Sequence, residues 1–196
     1  MVVDKMEDYN VKGEIAVKGF EVGGIAGGDL TLNIEEVNAA HAAISGGLDG
    51  KDSKLDFKGN VGLTGDVPVN FTANITKVDA RLIESLSGGQ LTKSKGFVTG
   101  KVKLFGNADK PLAEGKLSFV DYNVTPYYLG IPLKIEDQQI YFKGNDVSFE
   151  NFVVKDSLNQ KMAVNGKVNW SNLDAVSYDL KLDTKNFLLI NTERGS

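Results

Sequence analysis

The feature that most constrains this chain is a two-residue rhythm that runs nearly from end to end. In "KMAVNGKVNW", Met162, Val164, Gly166, Val168 and Trp170 fall on one parity, and Lys161, Ala163, Asn165, Lys167 and Asn169 on the other. Successive side chains of a β-strand point to opposite faces, so such a segment has one apolar face and one wet face. The pattern recurs in "VKGEIAVKG" (Val11, Gly13, Ile15, Val17, Gly19), "DLTLNIEEV" (Leu30, Leu32, Ile34) and "KLDFKGNVGL" (Leu55, Phe57, Gly59, Val61, Leu63). Across "TGDVP" it resumes with Val69, Phe71, Ala73 and Ile75, the mark of a hairpin.

The second half repeats the rhythm with Val98, Gly100, Val102 and Leu104, then Leu117 and Phe119, then Ile140, Phe142, Val147 and Phe149, and finally Val176, Tyr178, Leu180 and Leu182. About a dozen strands are expected, joined by Gly, Asn and Asp turns such as "GGLDG", "GNADKP" and "KGND". Pro126 and Pro132, which cannot donate to a sheet ladder, point to edge or turn geometry around "VTPYYLGIPL". Glycines on the inward parity, at 13, 59, 100 and 166, predict bends or close backbone approach and hence a strongly curved sheet. One segment breaks the period. In "KVDARLIESLSGG", Asp79 suits an N-cap, Leu82, Ile83 and Leu86 share a helical face, and Gly88 suits C′, which predicts a short helix near 79–87.

Chemistry-bearing motifs are sparse. The 196 residues contain no cysteine, which excludes disulfides, thiolate nucleophiles and Cys-ligated zinc. The only histidine, His41, has no second His nearby, and zinc needs three or four ligands, so it reads as a surface or strand-edge residue. "EVGGIAGGD" is rich in glycine but lacks the Lys and Ser/Thr of a phosphate-binding loop, so it reads as a flexible loop or bend. The acid pairs Glu35-Glu36 and Glu136-Asp137 have no His or Lys at a telling spacing and read as solvated. Three Asn-X-Thr triplets, at Asn70, Asn74 and Asn123, are ordinary for an Asn- and Thr-rich β chain. No enzymatic activity, cofactor or metal is expected. A net charge of -4 with interspersed signs lacks the basic stripe that nucleic acid requires. No apolar run reaches the roughly 18 to 20 residues of a membrane span, and the N-terminus lacks signal-peptide character.

The order of phrases in the second half resembles a known family. A strand ends in Gly106, a Lys110-Pro111 turn follows, Gly115 opens the next strand, "LGIPL" runs from Leu129 to Leu133, and Gly166 centres another strand. "ITKVDARLIESLSGG" precedes this block. Together these are similar to the C-terminal domain of the TamB family, the translocation and assembly module, and more broadly to the AsmA-like bridge-like lipid transfer proteins of Gram-negative envelopes. The resemblance covers about Val61 to Asn191, and its landmarks are glycines and prolines rather than catalytic signatures. It implies that 1–196 is a single β-taco type domain, a fragment of a longer chain: an all-β, antiparallel-rich, curved sheet folded into a half-pipe with an apolar concave interior.

It further implies a periplasmic location, with the parent chain anchored in the inner membrane, reaching the outer membrane and making membrane contact outside this fragment. The expected role is a hydrophobic groove that passes phospholipid acyl chains between the two membranes in support of outer-membrane biogenesis. The alternative is a scaffold that binds nascent outer-membrane proteins, or a TamA-like outer-membrane barrel, by β-augmentation. The residues expected to line the groove are Phe57, Val61, Phe71 and Ile75, Val102 and Leu104, Leu117 and Phe119, Ile140 and Phe142, Val147 and Phe149, and Met162, Val164, Val168 and Trp170. Alternation alone leaves a filled sandwich and an open groove equally admissible, because both need it.

Overall fold

The computed structural model describes residues 12–38, 40–63, 67–171 and 176–187, apart from the side chains of 36–38. Val11, the middle of the "TGDVP" turn, the side chain of Glu36 and the end of the family-like block near Asn191 lie outside these. The described chain forms one antiparallel sheet of twelve strands and one helix. The strands are β1 (Lys12–Val22), β2 (Ile25–Asn38), β3 (His41–Asp49), β4 (Lys54–Gly62), β5 (Pro68–Asp79), β6 (Leu91–Asn107), β7 (Lys110–Pro126), β8 (Leu133–Ile135), β9 (Gln138–Gly144), β10 (Asp146–Lys155), β11 (Lys161–Asn169) and β12 (Ser177–Thr184); helix α1 (Ala80–Leu86) follows β5.

Apart from β8 and β9, each strand pairs with its neighbour in sequence, so the sheet is a meander. β8 and β9 are two halves of one strand position between β7 and β10, since Tyr122 opposes Ile135 while Phe119 opposes Gln138. The sheet is a half-pipe, the form that the family resemblance implies, built from about the dozen strands that the alternation predicts.

Two local expectations are corrected. "EVGGIAGGD" is not a flexible loop: Val22 opposes Ile25, and Gly23 and Gly24, at φ 58° and 77°, form the two-residue turn between β1 and β2. Positive φ at both central residues is what a hairpin turn of the I′ kind demands. "GGLDG" is mostly not a turn, because β3 runs on to Asp49 and the turn is closed by Gly50 N–H donating to Ser53 O at 2.8 Å. The glycines serve close packing instead, since a Cβ on Gly46 would lie 2.3 Å from Thr31 O and 2.9 Å from the Phe57 ring.

The helix follows its capping signals. The Asp79 carboxylate accepts from Arg81 N–H at 2.7 Å, and the chain leaves through Ser87 into Gly88 at φ 61°. The Arg81 guanidinium, 2.6 Å away, holds the Asp79 carboxyl below the usual carboxylate range. Ser53 Oγ accepts from Asp79 N–H at 3.1 Å, which ties the cap to the β3–β4 turn. Ala80 and Leu82 are buried, so the helix closes over the apolar side of the sheet at this end.

A line of irregularities crosses the sheet just below the helix. β5 shifts register between Ile75 and Val78, Gly96 of β6 has φ 89°, and Asp121 of β7, Asp137 between β8 and β9, and Asn151 of β10 have φ 45°, 51° and 48°. Asn and Asp are the residues other than glycine that visit this region most readily. Each bulge adds a residue, bends its strand and reverses its parity. Thus Leu117 and Phe119 face inward before the bulge in β7, and Tyr122 and Val124 after it; Phe149 gives way to Phe152 and Val154 in β10. Aligned bulges crease the sheet, and the rings stack edge to face across the crease: Phe119 to Tyr122 at 5.2 Å, Phe119 to Phe152 at 5.7 Å and Phe149 to Phe152 at 5.4 Å. Pairs of this kind are worth about 0.5–1.5 kcal/mol beyond area burial. The packed core sits here, from Ala80 and Val98 through Tyr122, Val124, Ile135, Phe152 and Val154 to Val164.

Candidate functional site: an apolar trough

Directly opposed residues in an antiparallel sheet share a face, so the registers define the trough row by row. One row reads Ile15, Leu32, Gly46, Phe57, Ala73, Val102, Gly115, Phe142, Val147, Val168 and Tyr178. A second, two residues along each strand, reads Val17, Leu30, Leu48, Leu55, Ile75, Gly100, Leu117, Ile140, Phe149, Gly166 and Leu180. No polar side chain interrupts either row from β1 to β12. Ten inter-strand steps of about 4.8 Å give each row a path of roughly 50 Å. The row between them, on the other face, includes Thr31, Asp56, Asn74, Lys101, Lys116, Tyr141, Ser148, Lys167 and Asp179.

The expected lining residues divide between the two parts of this surface. Phe57, Val102, Phe142, Val147 and Val168 stand in the first row, and Ile75, Leu117, Ile140 and Phe149 in the second. Phe71 opposes Leu104 in a third row, and Val61 opposes Val69 near the far turns. Phe119, Met162 and Val164 lie at the closed end, where Val164 opposes Phe152 and Met162 opposes Val154 within or against the packed core. Leu117, Ile140 and Phe149 also pack against that core. Trp170 lies beyond β11, where its Nε1–H donates to Pro111 O at 3.0 Å and its ring meets Phe142 at 6.1 Å, pinning the β11 end to β7.

Burial separates an open floor from a filled interior. Thirteen apolar side chains are buried among the described residues, and they concentrate at the creased, helix-covered end. The floor is mostly half-buried over its middle strands, where Leu48 is buried and Leu104 of β6 is 44% exposed, and it is exposed at both margins, with Ile15 53% and Tyr178 78% exposed. A sandwich filled from both sides would bury these residues.

Sequence reasoning missed Tyr122, Val124, Ile135, Phe152 and Val154, which form much of the closed wall. A signal was present. "FVDY" and "FENF" each shift the apolar parity by one residue at an Asp or Asn.

The acids considered as catalytic pairs do not converge. Lys12 lies 2.5 Å from Glu35, and Lys155 pairs with Glu136, whose carboxyl its hydrogen bond holds below the usual range. Asp137 occupies the crease, and His41 is exposed at the start of β3. Among the described residues no group of three potential metal ligands occurs, and no helix is long and apolar enough to cross a membrane.

Fold and site thus define a class: a single-sheet, all-β half-pipe whose inner face carries unbroken apolar rows from β1 to β12. In comparisons with known proteins, no family model, no curated protein and no solved structure matches the chain.

Proposed function

We propose that this chain is a non-enzymatic segment of a periplasmic lipid bridge, whose trough conducts phospholipid acyl chains between inner and outer membranes in support of outer-membrane biogenesis. The observation that carries the reading is the pair of uninterrupted apolar rows, left half-exposed over a path far longer than an incidental surface patch. Soluble monomers seldom expose a contiguous apolar patch beyond about 300–600 Å². An acyl chain laid on this floor contributes about 0.8 kcal/mol per buried methylene without any polar contact. Binding spread over many equivalent positions lets a chain slide, because no single site holds it. The resemblance of the second half to TamB and AsmA-like proteins supports the same kind of transfer and the same compartment.

The test is a photo-crosslinking amino acid placed at Leu104 or Phe71, on the floor, and at Lys103 or Thr72, on the opposite face. Phospholipid captured in cells from the first two positions and not from the last two is the expected result. Equal capture from both faces, or none from the floor, overturns the proposal. A second reading, β-augmentation by a strand of an outer-membrane protein or barrel partner, is favoured by the outer edges of β1 and β12, which pair with no strand among the described residues. It predicts that a proline in an edge strand abolishes protein capture while lipid capture from Leu104 persists.

A further inference from the structure

The two margins of the sheet treat their charges differently. On β1, Lys12 and Lys18 are engaged within the chain, at 2.5 Å from Glu35 and 2.6 Å from Asp29. On β12, Asp179, Lys181 and Asp183 alternate with Tyr178, Leu180 and Leu182, and none of the three makes a side-chain hydrogen bond or ion pair among the described residues. All eight residues of the strand are exposed, with Tyr178 78% and Leu180 36% exposed. Among the described residues its outer edge therefore offers unpaired backbone groups, an apolar parity and a charged parity together.

We propose that β12 pairs antiparallel with β12 of a second copy, about a two-fold axis perpendicular to the sheet and passing through Leu180. An isologous contact requires a self-complementary patch, and this strand is one. With the axis at Leu180, that residue faces its own image, Tyr178 faces Leu182 twice, and Asp179 faces Lys181 twice. Other registers are worse. An axis at Lys181 sets Lys181 against itself and Asp179 against Asp183, and like charges directly opposed are destabilising. An axis at Leu182 keeps charges opposite but places Tyr178 against Asn186, which leaves the most exposed ring of the strand without an apolar partner. An axis perpendicular to the sheet keeps both apolar faces on one side, so the rows ending at Tyr178 and Leu180 continue into the second copy. A single eight-residue edge buries less than a standard interface of about 1,200–2,000 Å², so the dimer is weak and dilution separates it. This inference stands apart from the lipid reading, since it rests on the edge alone.

The chain has no cysteine, which makes a clean test available. Sedimentation equilibrium of the 196-residue chain should show a monomer–dimer equilibrium. Leu180→Cys, facing its own image, should give a disulfide-linked dimer under mild oxidation, whereas Ser177→Cys, about 20 Å from its image, should stay monomeric. Asp179→Lys should weaken dimerisation roughly tenfold or more, and adding Lys181→Asp should restore it. A chain that is monomeric throughout, a Ser177→Cys protein that links as fast as Leu180→Cys, or a charge swap that fails to restore the dimer while circular dichroism is unchanged, overturns the proposal.

Discussion

At the scale of single residues, the floor is built by setting small against large. Gly166 stands between Phe149 and Leu180, and Gly115 between Val102 and Phe142, so bulky side chains in neighbouring strands share the space that a glycine vacates. Gly166 adopts φ 123°, a region closed to other residues, and a Cβ there would lie 2.0 Å from Asp179 O. Gly166→Ala is therefore expected to lower stability by about 2–3 kcal/mol, from backbone strain and the clash together. Gly13 has open space around its absent Cβ and no positive φ. Gly13→Ala should change stability by no more than about 0.5 kcal/mol, and urea denaturation of the two variants side by side checks the contrast.

At the scale of elements, the crease turns a broad sheet into a folded one. Its bulged strands carry Asp121, Asp137 and Asn151 at positive φ, and the Asn151 N–H donates to Asn165 Oδ1 at 2.8 Å, bracing the bulge against β11. Because the left-handed region costs a β-branched residue roughly 1–2 kcal/mol, Asn151→Val should lower the unfolding free energy by about that amount. Asn151→Gly should be neutral or slightly stabilising, and Glu150→Val, one residue away and outside the left-handed region, should have little effect. If Asn151→Val and Glu150→Val shift the denaturation midpoint equally, the bulge geometry is not what shapes β10. The helix complements the crease: its Asp79 cap is bonded to Ser53, and Ala80 and Leu82 cover the apolar side where the strands bend.

At the scale of the whole molecule, one surface is divided into a packed end and an open floor, and the two should answer differently to the same kind of truncation. Phe152 is buried among the rings of the crease, so Phe152→Ala should cost about 3–5 kcal/mol. Leu104 contributes to the floor while 44% exposed, so Leu104→Ala should cost less than about 1 kcal/mol. Equilibrium unfolding decides the matter, because a filled interior would make both substitutions severe. The same division gives the trough its proposed use, since a floor that adds little to stability is free to accept an apolar guest.

The sequence by itself determined that the chain is all-β, where nearly every strand and the helix lie, and which side of each strand is apolar. Those properties are local: parity, capping at Asp79 and Gly88, and turn chemistry act over a few residues and leave a direct trace in their order. Tertiary structure alone decided that the inward residues fall into unbroken rows, that Val164 and Met162 belong to a closed end while Phe71 and Leu104 belong to an open one, and that Tyr122, Ile135 and Phe152 build the wall between. Register and crease arise from pairing between strands and from irregularities that align from β5 to β10. Such alignment is a relation among distant residues, and an Asn or Asp that produces a bulge looks, along the chain, the same as one that produces a turn.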